Sequence, residues 1–353
     1  MRPPPLAHPV WPFAAASLSP AVLLVIGALA GGGWAWFAFL WITLFLAAAD
    51  RLGRRLLAPR PPTEGDRWTG GLAVGLGALH FPLLAFAVFA LAGDTGLGPG
   101  GWIACFLGFG LWFGQVSNPV AHELIHQPAR LPFRLGLWVY VSLLYGHHTS
   151  AHRLVHHRFA ATPDDPNSAA AGESFYAFLA RAWPGEFVAG YEMERGRREG
   201  QGVAGGAWAN PYLVYLGGSL AVAIGVTLAF GPLGLLVWLL LSAHAQVQLL
   251  LSDYVQHYGL ERQKTGPDAY EPFGPAHSWD APDPFSGWMM LHAPRHADHH
   301  LHPARPYPAL ELSPEGRAPL LPWSLPVMAT LALVPPLWRR VMDGRLPRPR
   351  AAR

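Results

Sequence analysis

The chemistry in this sequence is concentrated in its histidines. Of 17, fifteen lie between His122 and His302, and nine of those fall into four groups. The first is His122-Glu-Leu-Ile-His126. On a helix, positions i and i+4 lie one above the other, so both imidazoles can reach one metal. The second is His152-Arg-Leu-Val-His156-His157, where 152 and 156 are expected to share a face. His157 then points about 100° away, an offset suited to a neighbouring metal. The third is His257, in Asp253-Tyr-Val-Gln-His-Tyr-Gly-Leu260. The fourth is His296-Ala-Asp-His299-His300, with i, i+3 and i+4 on one stripe. Nine ligands exceed what one tetrahedral or octahedral ion uses, so the arithmetic favours two metals.

Simpler readings compete with this one. His122-Glu123-Leu-Ile-His126 is also a literal HExxH, the zinc peptidase signature in which the Glu is a general base. Such a site needs two or three histidines and leaves the others idle. His80 and His244 sit inside apolar runs and read as hydrogen-bonded structural residues. His147, His148, His277, His292 and His302 fall outside the spaced groups. All-nitrogen ligation in a membrane chain points to iron and dioxygen chemistry.

The elements that must carry these groups are apolar. The 353 residues are 51% hydrophobic and only 13% charged, about half the charge of an ordinary soluble domain. The formal charge of +3 is mild and does not suggest a nucleic-acid partner, and one cysteine, Cys105, leaves no disulfide framework and no thiolate-bound iron domain. Charge-free runs cover Val10–Ala49, Trp68–Gly93, Thr95–Ala121 and Gly202–Ser252. The first and last are each long enough for two spans of about 20 residues, divided at Gly31-Gly32-Gly33 and Gly231-Pro232. The expected fold is therefore an all-α polytopic membrane bundle of six helices in three hairpins, near 12–31, 33–50, 68–93, 100–121, 208–230 and 233–252. Leu135–Gly146 and the proline-punctuated Leu320–Trp338 read as re-entrant or interfacial segments.

Arg51, Arg54, Arg55, Arg60 and Arg67 crowd the connection between the second and third spans, and Arg339-Arg340 follow the last apolar segment. The positive-inside rule then places both termini and the histidine regions 122–200 and 253–318 in the cytoplasm, with 339–353 as a basic tail. Ala28-Leu29-Ala30 has the form of a signal-peptidase site. The next apolar segment starts almost at once and the leading residues are proline-rich, which reads against cleavage.

After His157 the chain runs Arg-Phe-Ala-Ala-Thr162-Pro-Asp164-Asp165-Pro-Asn-Ser168, then Gly172-Glu173-Ser-Phe-Tyr-Ala-Phe178. These stretches, with His257-Tyr-Gly-Leu260 and Arg295-His-Ala-Asp-His-His300, resemble the AlkB-type alkane 1-monooxygenases of the membrane fatty-acid desaturase and hydroxylase superfamily. The resemblance covers most of the chain from Gly65 to His302. It departs at Ala151, where the family has an acidic residue, at Val155 for a Gly, at Asp253-Tyr-Val-Gln256 for Asn-Tyr-x-Glu, and at Gln127 for a Lys.

The resemblance implies that His122, His126, His152, His156, His157, His257, His296, His299 and His300 bind two non-haem irons. It implies O2 as co-substrate, electrons from a rubredoxin- or ferredoxin-like protein with its reductase, and hydroxylation of a terminal methyl on an alkane or alkyl chain. The setting would be one membrane-embedded domain over 1–353 in a bacterial inner membrane. Glu123, Asp253 and Asp298 are candidates to orient ligand imidazoles through the other ring nitrogen. Arg153, Arg158, Arg195, Arg197 and Arg198 could attract an acidic redox partner. A desaturase, a lipid hydroxylase and an aromatic methyl hydroxylase are the alternatives on the same chassis.

Overall fold

The computed structural model describes residues 10–57, 63–202, 210–267, 269–314 and 317–347. Arg60, the first two residues of the expected 208–230 span and the 348–353 end of the basic tail lie outside them. The described chain is mostly helical, with one short hairpin of β1 (Lys264–Gly266) and β2 (Ala269–Tyr270).

Helices α1 (Val10–Ala30) and α2 (Gly32–Leu56) meet at Gly31, whose φ of 64° and ψ of −161° suit glycine alone. Their backbones then pack closely. A Cβ added at Gly27 would stand 3.0 Å from the Cα of Ala35, the small-residue contact that membrane helices favour. Helix α3 (Arg67–Ala92) starts with a capping box in which Asp66 accepts from the backbone N–H groups of Trp68 and Thr69. Helix α4 (Pro99–Ile125) contains a π-helical turn at Phe113–Ser117 and ends in the first histidine pair.

Among the described residues, these four helices and α8 (Tyr212–His257) are the five that are long and apolar enough to cross a membrane. Outward-facing Trp34, Trp41, Leu44, Leu220, Ile224 and Leu228 are exposed, which is how a bilayer-embedded surface differs from a soluble one. The protein is an integral membrane protein. Helix α8 has 46 residues, and its backbone leaves helical geometry at Gly231, with φ 69° and ψ −172°. That is close to the conformation of Gly31, where α1 turns into α2.

The remaining elements hold the site. Leu135–Gly146 falls mostly in α5 (Arg130–Ser142), packed on α4 so tightly that a Cβ at Gly136 would lie 2.7 Å from the carbonyl oxygen of Ala121. Then come α6 (148–159), α7 (Phe175–Gly200), α9 (Pro284–Met289) and α10 (His296–Leu301). Leu320–Trp338 contributes α11 (Leu325–Ala332) and part of α12 (Pro335–Met342). Neither α5 nor these two helices is among the five membrane candidates. Asp50 of α2 accepts from the backbone N–H groups of Phe285 and Ser286 at 2.8 and 3.0 Å, and Arg54 pairs with Asp283. The segment leading into α10 is thereby tied to the second helix. Buried Asp280 finishes the placement by accepting from Ala297 N–H at 2.9 Å, at the start of α10.

Candidate metal centre

Four elements deliver the histidines. His122 and His126 come from the end of α4, and His152, His156 and His157 from α6. His257 is the last residue of α8, and His296, His299 and His300 belong to α10. The structure brings all nine together, in two groups. His122, His126, His152, His157 and His299 form one; His156, His257, His296 and His300 form the other. Within each group, one ring nitrogen per residue lies within 4.8 Å of all the rest.

The partition differs from the expected one in α6 and α10. His152 and His156 were expected on one face, with His157 turned towards a second metal. Instead His152 and His157 share the first group and His156 belongs to the second. The cause is a π-helical turn over His152–His156. Its i→i+5 bonding widens the turn, so 152 aligns with 157 rather than with 156. In α10 the stripe also divides, with His296 and His300 at i, i+4 in one group and His299 in the other.

The nitrogen contacts fit cation coordination. In the first group, Nε2 of His152 is 2.8 Å from that of His122 and 2.9 Å from that of His157, which is 3.1 Å from that of His299. In the second, Nε2 of His296 is 3.1 Å from that of His257 and 3.0 Å from that of His300. An imidazole nitrogen offers one in-plane lone pair or one N–H, so it cannot bond two such neighbours well. Two nitrogens ~2.1 Å from a common ion and at right angles to each other stand ~3.0 Å apart. Nε2 of His126 and of His156 are buried without hydrogen-bond partners. The donor set therefore fits a metal in each group, and no carboxylate belongs to either group among the described residues.

Burial shapes the charge state. It lowers the pKa of His126 to about 3, helped by Arg153, and pushes His152, His157, His296, His299 and His300 well below 6.5, helped by mutual repulsion. These rings are neutral near pH 7, the form that binds metal. His156 is the exception. Burial opposes its charging, but the adjacent Asp165 carboxylate raises it to about 9, and Asp165 is held below its ordinary value although burial acts the other way.

The orienting groups are not the expected ones. His156 Nδ1–H donates to Asp165 at 2.8 Å, and Asp165 is held in turn by Ser168 Oγ–H at 2.7 Å and Asn167 N–H at 3.1 Å. His257 Nδ1 lies 3.2 Å from the His277 carbonyl oxygen. Glu123 instead accepts from Gln127, at 2.7 Å. Asp298 accepts from His302, Arg305 and the Glu311 N–H, fixing the loop after α10. Asp253 accepts from Asn167 at 2.8 Å. None of these three carboxylates makes a described hydrogen bond to a grouped imidazole, because each is taken by a polar neighbour from another direction.

His148, outside the spaced groups, is buried with its ring 5.1 Å from that of His152 and pairs with Glu186, which also accepts from Tyr145 at 2.5 Å. Burial would raise the Glu186 carboxyl, but the His148 contact holds it down to about 2. The spacing His148-x3-His152-x3-His156 is the signal that could have drawn attention to it. The Gly172-Glu173 stretch secures the end of α8. Gly172 N–H donates to Tyr258 at 2.9 Å and Tyr254 donates to the Glu173 carbonyl at 2.6 Å, bracketing His257. Among the five arginines, Arg195 pairs with Glu192 and Glu199, and Arg198 with Glu194. Arg153, Arg158 and Arg197 line one groove, together with Glu192.

A cavity of about 60 Å³ opens on both groups, reaching His122 and His152 of the first and His296 of the second. Apolar Leu249, Met290, Leu325 and Ala329 line it, with Gln115 of α4 and Gln248 of α8.

Membrane helices, paired polyhistidine groups and this cavity define a class, and the sequence comparison agrees. Residues 97–331, which hold all nine histidines, match the family described as Fatty acid desaturase, and the chain belongs to that family. Within it, the chain is similar to several alkane 1-monooxygenases. Alkane 1-monooxygenase 1 of Pseudomonas aeruginosa is 36% identical over 263 residues, 74% of this chain and 68% of that protein. Alkane 1-monooxygenase 2 of the same organism is 32% identical over 289 residues, 81% of this chain and 75% of that protein. The hydroxylase component of the xylene/toluene monooxygenase of Pseudomonas putida is 30% identical over 240 residues, 66% of this chain and 61% of that protein.

Proposed function

We propose that this protein is a di-iron monooxygenase that hydroxylates the terminal methyl of an alkane or alkyl chain. The observation that carries this is the convergence of nine imidazoles into two groups at the end of a largely apolar cavity. Iron bound by the two groups supplies the redox chemistry that activates dioxygen. Overall, R–CH3 + O2 + 2 electrons + 2 protons gives R–CH2OH + H2O, with one oxygen atom entering the new C–O bond and the other leaving as water.

The chain's own residues hold the rest. Asp165 keeps the His156 proton on Nδ1 and leaves Nε2 facing the second group. The His277 carbonyl does the same for His257. Leu249, Met290, Leu325 and Ala329 exclude water and guide the chain's methyl towards His122, His152 and His296. Electrons come from a separate rubredoxin- or ferredoxin-type protein served by its reductase, and the groove of Arg153, Arg158 and Arg197 suits an acidic partner. Six spans in three hairpins carry a single domain, and the near-identical backbone at Gly31 and Gly231 supports a turn within α8. The histidines and both termini face the cytoplasm of a bacterial inner membrane, as the arginine distribution favours.

The test is turnover of medium-chain alkanes by the iron-loaded protein under labelled O2. A labelled primary alcohol supports the reading, and an unlabelled alkene replaces it with desaturation. The xylene/toluene relative favours one second reading, aromatic methyl hydroxylation. Including xylene in the same assay decides between them by product ratio.

A further inference from the structure

Gln115 stands between two cavities and lines both. Besides the metal-site cavity, a second, mostly apolar cleft of about 550 Å³ runs between α2 and α11–α12, and Gln115 and Pro326 line both. Its walls include Leu44 and Val334, which are exposed on the surface that meets lipid. A chain entering from the bilayer by this cleft passes Gln115 before it reaches the histidines.

Gln115 is unusual for such a path. It belongs to the π-helical turn of α4 and is 7% exposed. Its Nε2 makes one long contact, 3.4 Å, to Oε1 of Gln248, and its own Oε1 is buried with no partner. The opposing amide is built in. A Cβ at Gly114 would lie 2.5 Å from Cβ of Gln248, so only glycine leaves room for that side chain. Gln248, Ser252 and Gln256 follow each other at i+4 along α8 and all line the metal-site cavity. Polar side chains at membrane depth face cavities and mark the paths of what is bound there. An alkane offers them nothing to bond. A hydroxyl both donates and accepts, so it completes this amide pair in either orientation of the two amides.

We propose that Gln115 and Gln248 recognise a substrate hydroxyl, and that the protein therefore takes alkyl chains bearing a hydroxyl remote from the reacting methyl. This rests on the hydroxylase reading above and names its substrate class. Gln115 precedes His122 by seven residues, about 10 Å along a helix, so a chain anchored at Gln115 extends its far end to the metal groups. The reaction is HO–R–CH3 + O2 + 2 electrons + 2 protons → HO–R–CH2OH + H2O. A C–H bond is replaced by C–O, the second oxygen atom leaves as water, and the redox partner supplies the electrons. The alcohol formed from an alkane has the same chemistry, so its re-entry with the other end leading gives an α,ω-diol.

The experiment uses the full iron-loaded chain in detergent with a rubredoxin-type donor and its reductase, and offers decane and 1-decanol separately under labelled O2. The expected products are labelled 1-decanol and 1,10-decanediol labelled at the new hydroxyl. The ratio of kcat/KM for 1-decanol to that for decane is expected to fall about tenfold in Gln115→Met and in Gln248→Met, with iron content equal to wild type. Two results overturn the proposal: a wild type that hydroxylates decane but makes no diol, or a ratio within twofold of wild type in both variants. Should either variant lose iron, the wild-type diol result decides alone. No labelled product from either substrate overturns the hydroxylase reading itself, and this proposal with it.

Discussion

His152 and His157 are five residues apart, yet their Nε2 atoms lie 2.9 Å from each other, while His156, at ordinary helical spacing from His152, faces the other group. One π-helical turn, His152–His156, produces both facts. It lets a single short segment serve two metal positions, which is where such turns tend to occur.

Loss-of-iron patterns read this partition directly. His152→Ala and His157→Ala empty the same position, so the double variant is expected to lose no more iron than either single one, about one per chain. His156→Ala combined with His157→Ala is expected to lose both. Residues acting as a unit are non-additive and independent ones add. Elemental analysis of the four variants checks it, and loss of both irons from the variant lacking His152 and His157 would restore the α-helical pairing of 152 with 156.

Asp165 sets the proton position on His156, so Asp165→Asn is expected to weaken iron binding by about 10–100-fold and to lower turnover with it. Glu123→Gln, whose carboxylate meets Gln127 instead, is expected to stay within about twofold of wild type. Iron titration with a competing chelator measures both.

The apolar helices and the clustering of histidines were legible because each rests on a local rule: charge-free length for the helices, close spacing for the ligands. The glycine reading carried as far as Gly31 and Gly231, both of which leave helical geometry. The division of ligands was not legible. A π-helical turn has no sequence period of its own, so i, i+4 reasoning joined His152 to His156. The orienting carboxylate was missed for a related reason. Glu123, Asp253 and Asp298 are neighbours of ligands in sequence or on a helix, whereas Asp165 reaches His156 by a loop that returns after nine residues. His148 and Glu186 meet only through the packing of α6 on α7.

Gly136 is expected to tolerate no side chain. A Cβ there would stand 2.7 Å from the Ala121 carbonyl and 2.8 Å from Leu124 Cβ, on the turn that carries His122. Gly136→Ala is expected to destabilise the protein by about 1–3 kcal/mol, the usual cost of overpacking, and to reduce iron loading in the first group. Thermal unfolding and iron content measure the two effects.

Acid is expected to destabilise the metal-free protein more than base. His126 and His147 are held near 3 and 4 by burial, while an unfolded histidine titrates near 6.5. Between those values the unfolded chain binds protons that the folded chain does not, so stability falls as pH drops through that window. Glu186, held to about 2, adds loss in the same direction below its ordinary 4.5. His156 works oppositely. Burial opposes its charge, but Asp165 raises it to about 9, so its contribution is complete below pH 6.5 and disappears as pH rises through 9. With several groups on the acid side and one on the other, Tm in detergent is expected to fall more steeply from pH 6.5 to 4 than from 6.5 to 9.

Nine imidazoles in two groups are expected to hold two irons. The most direct test is metal identity and stoichiometry by elemental mass spectrometry on the purified chain expressed with iron in excess. Close to two irons per chain are expected. One zinc and no iron would contradict this, and would return the His122-Glu123-Leu-Ile-His126 sequence to its peptidase reading.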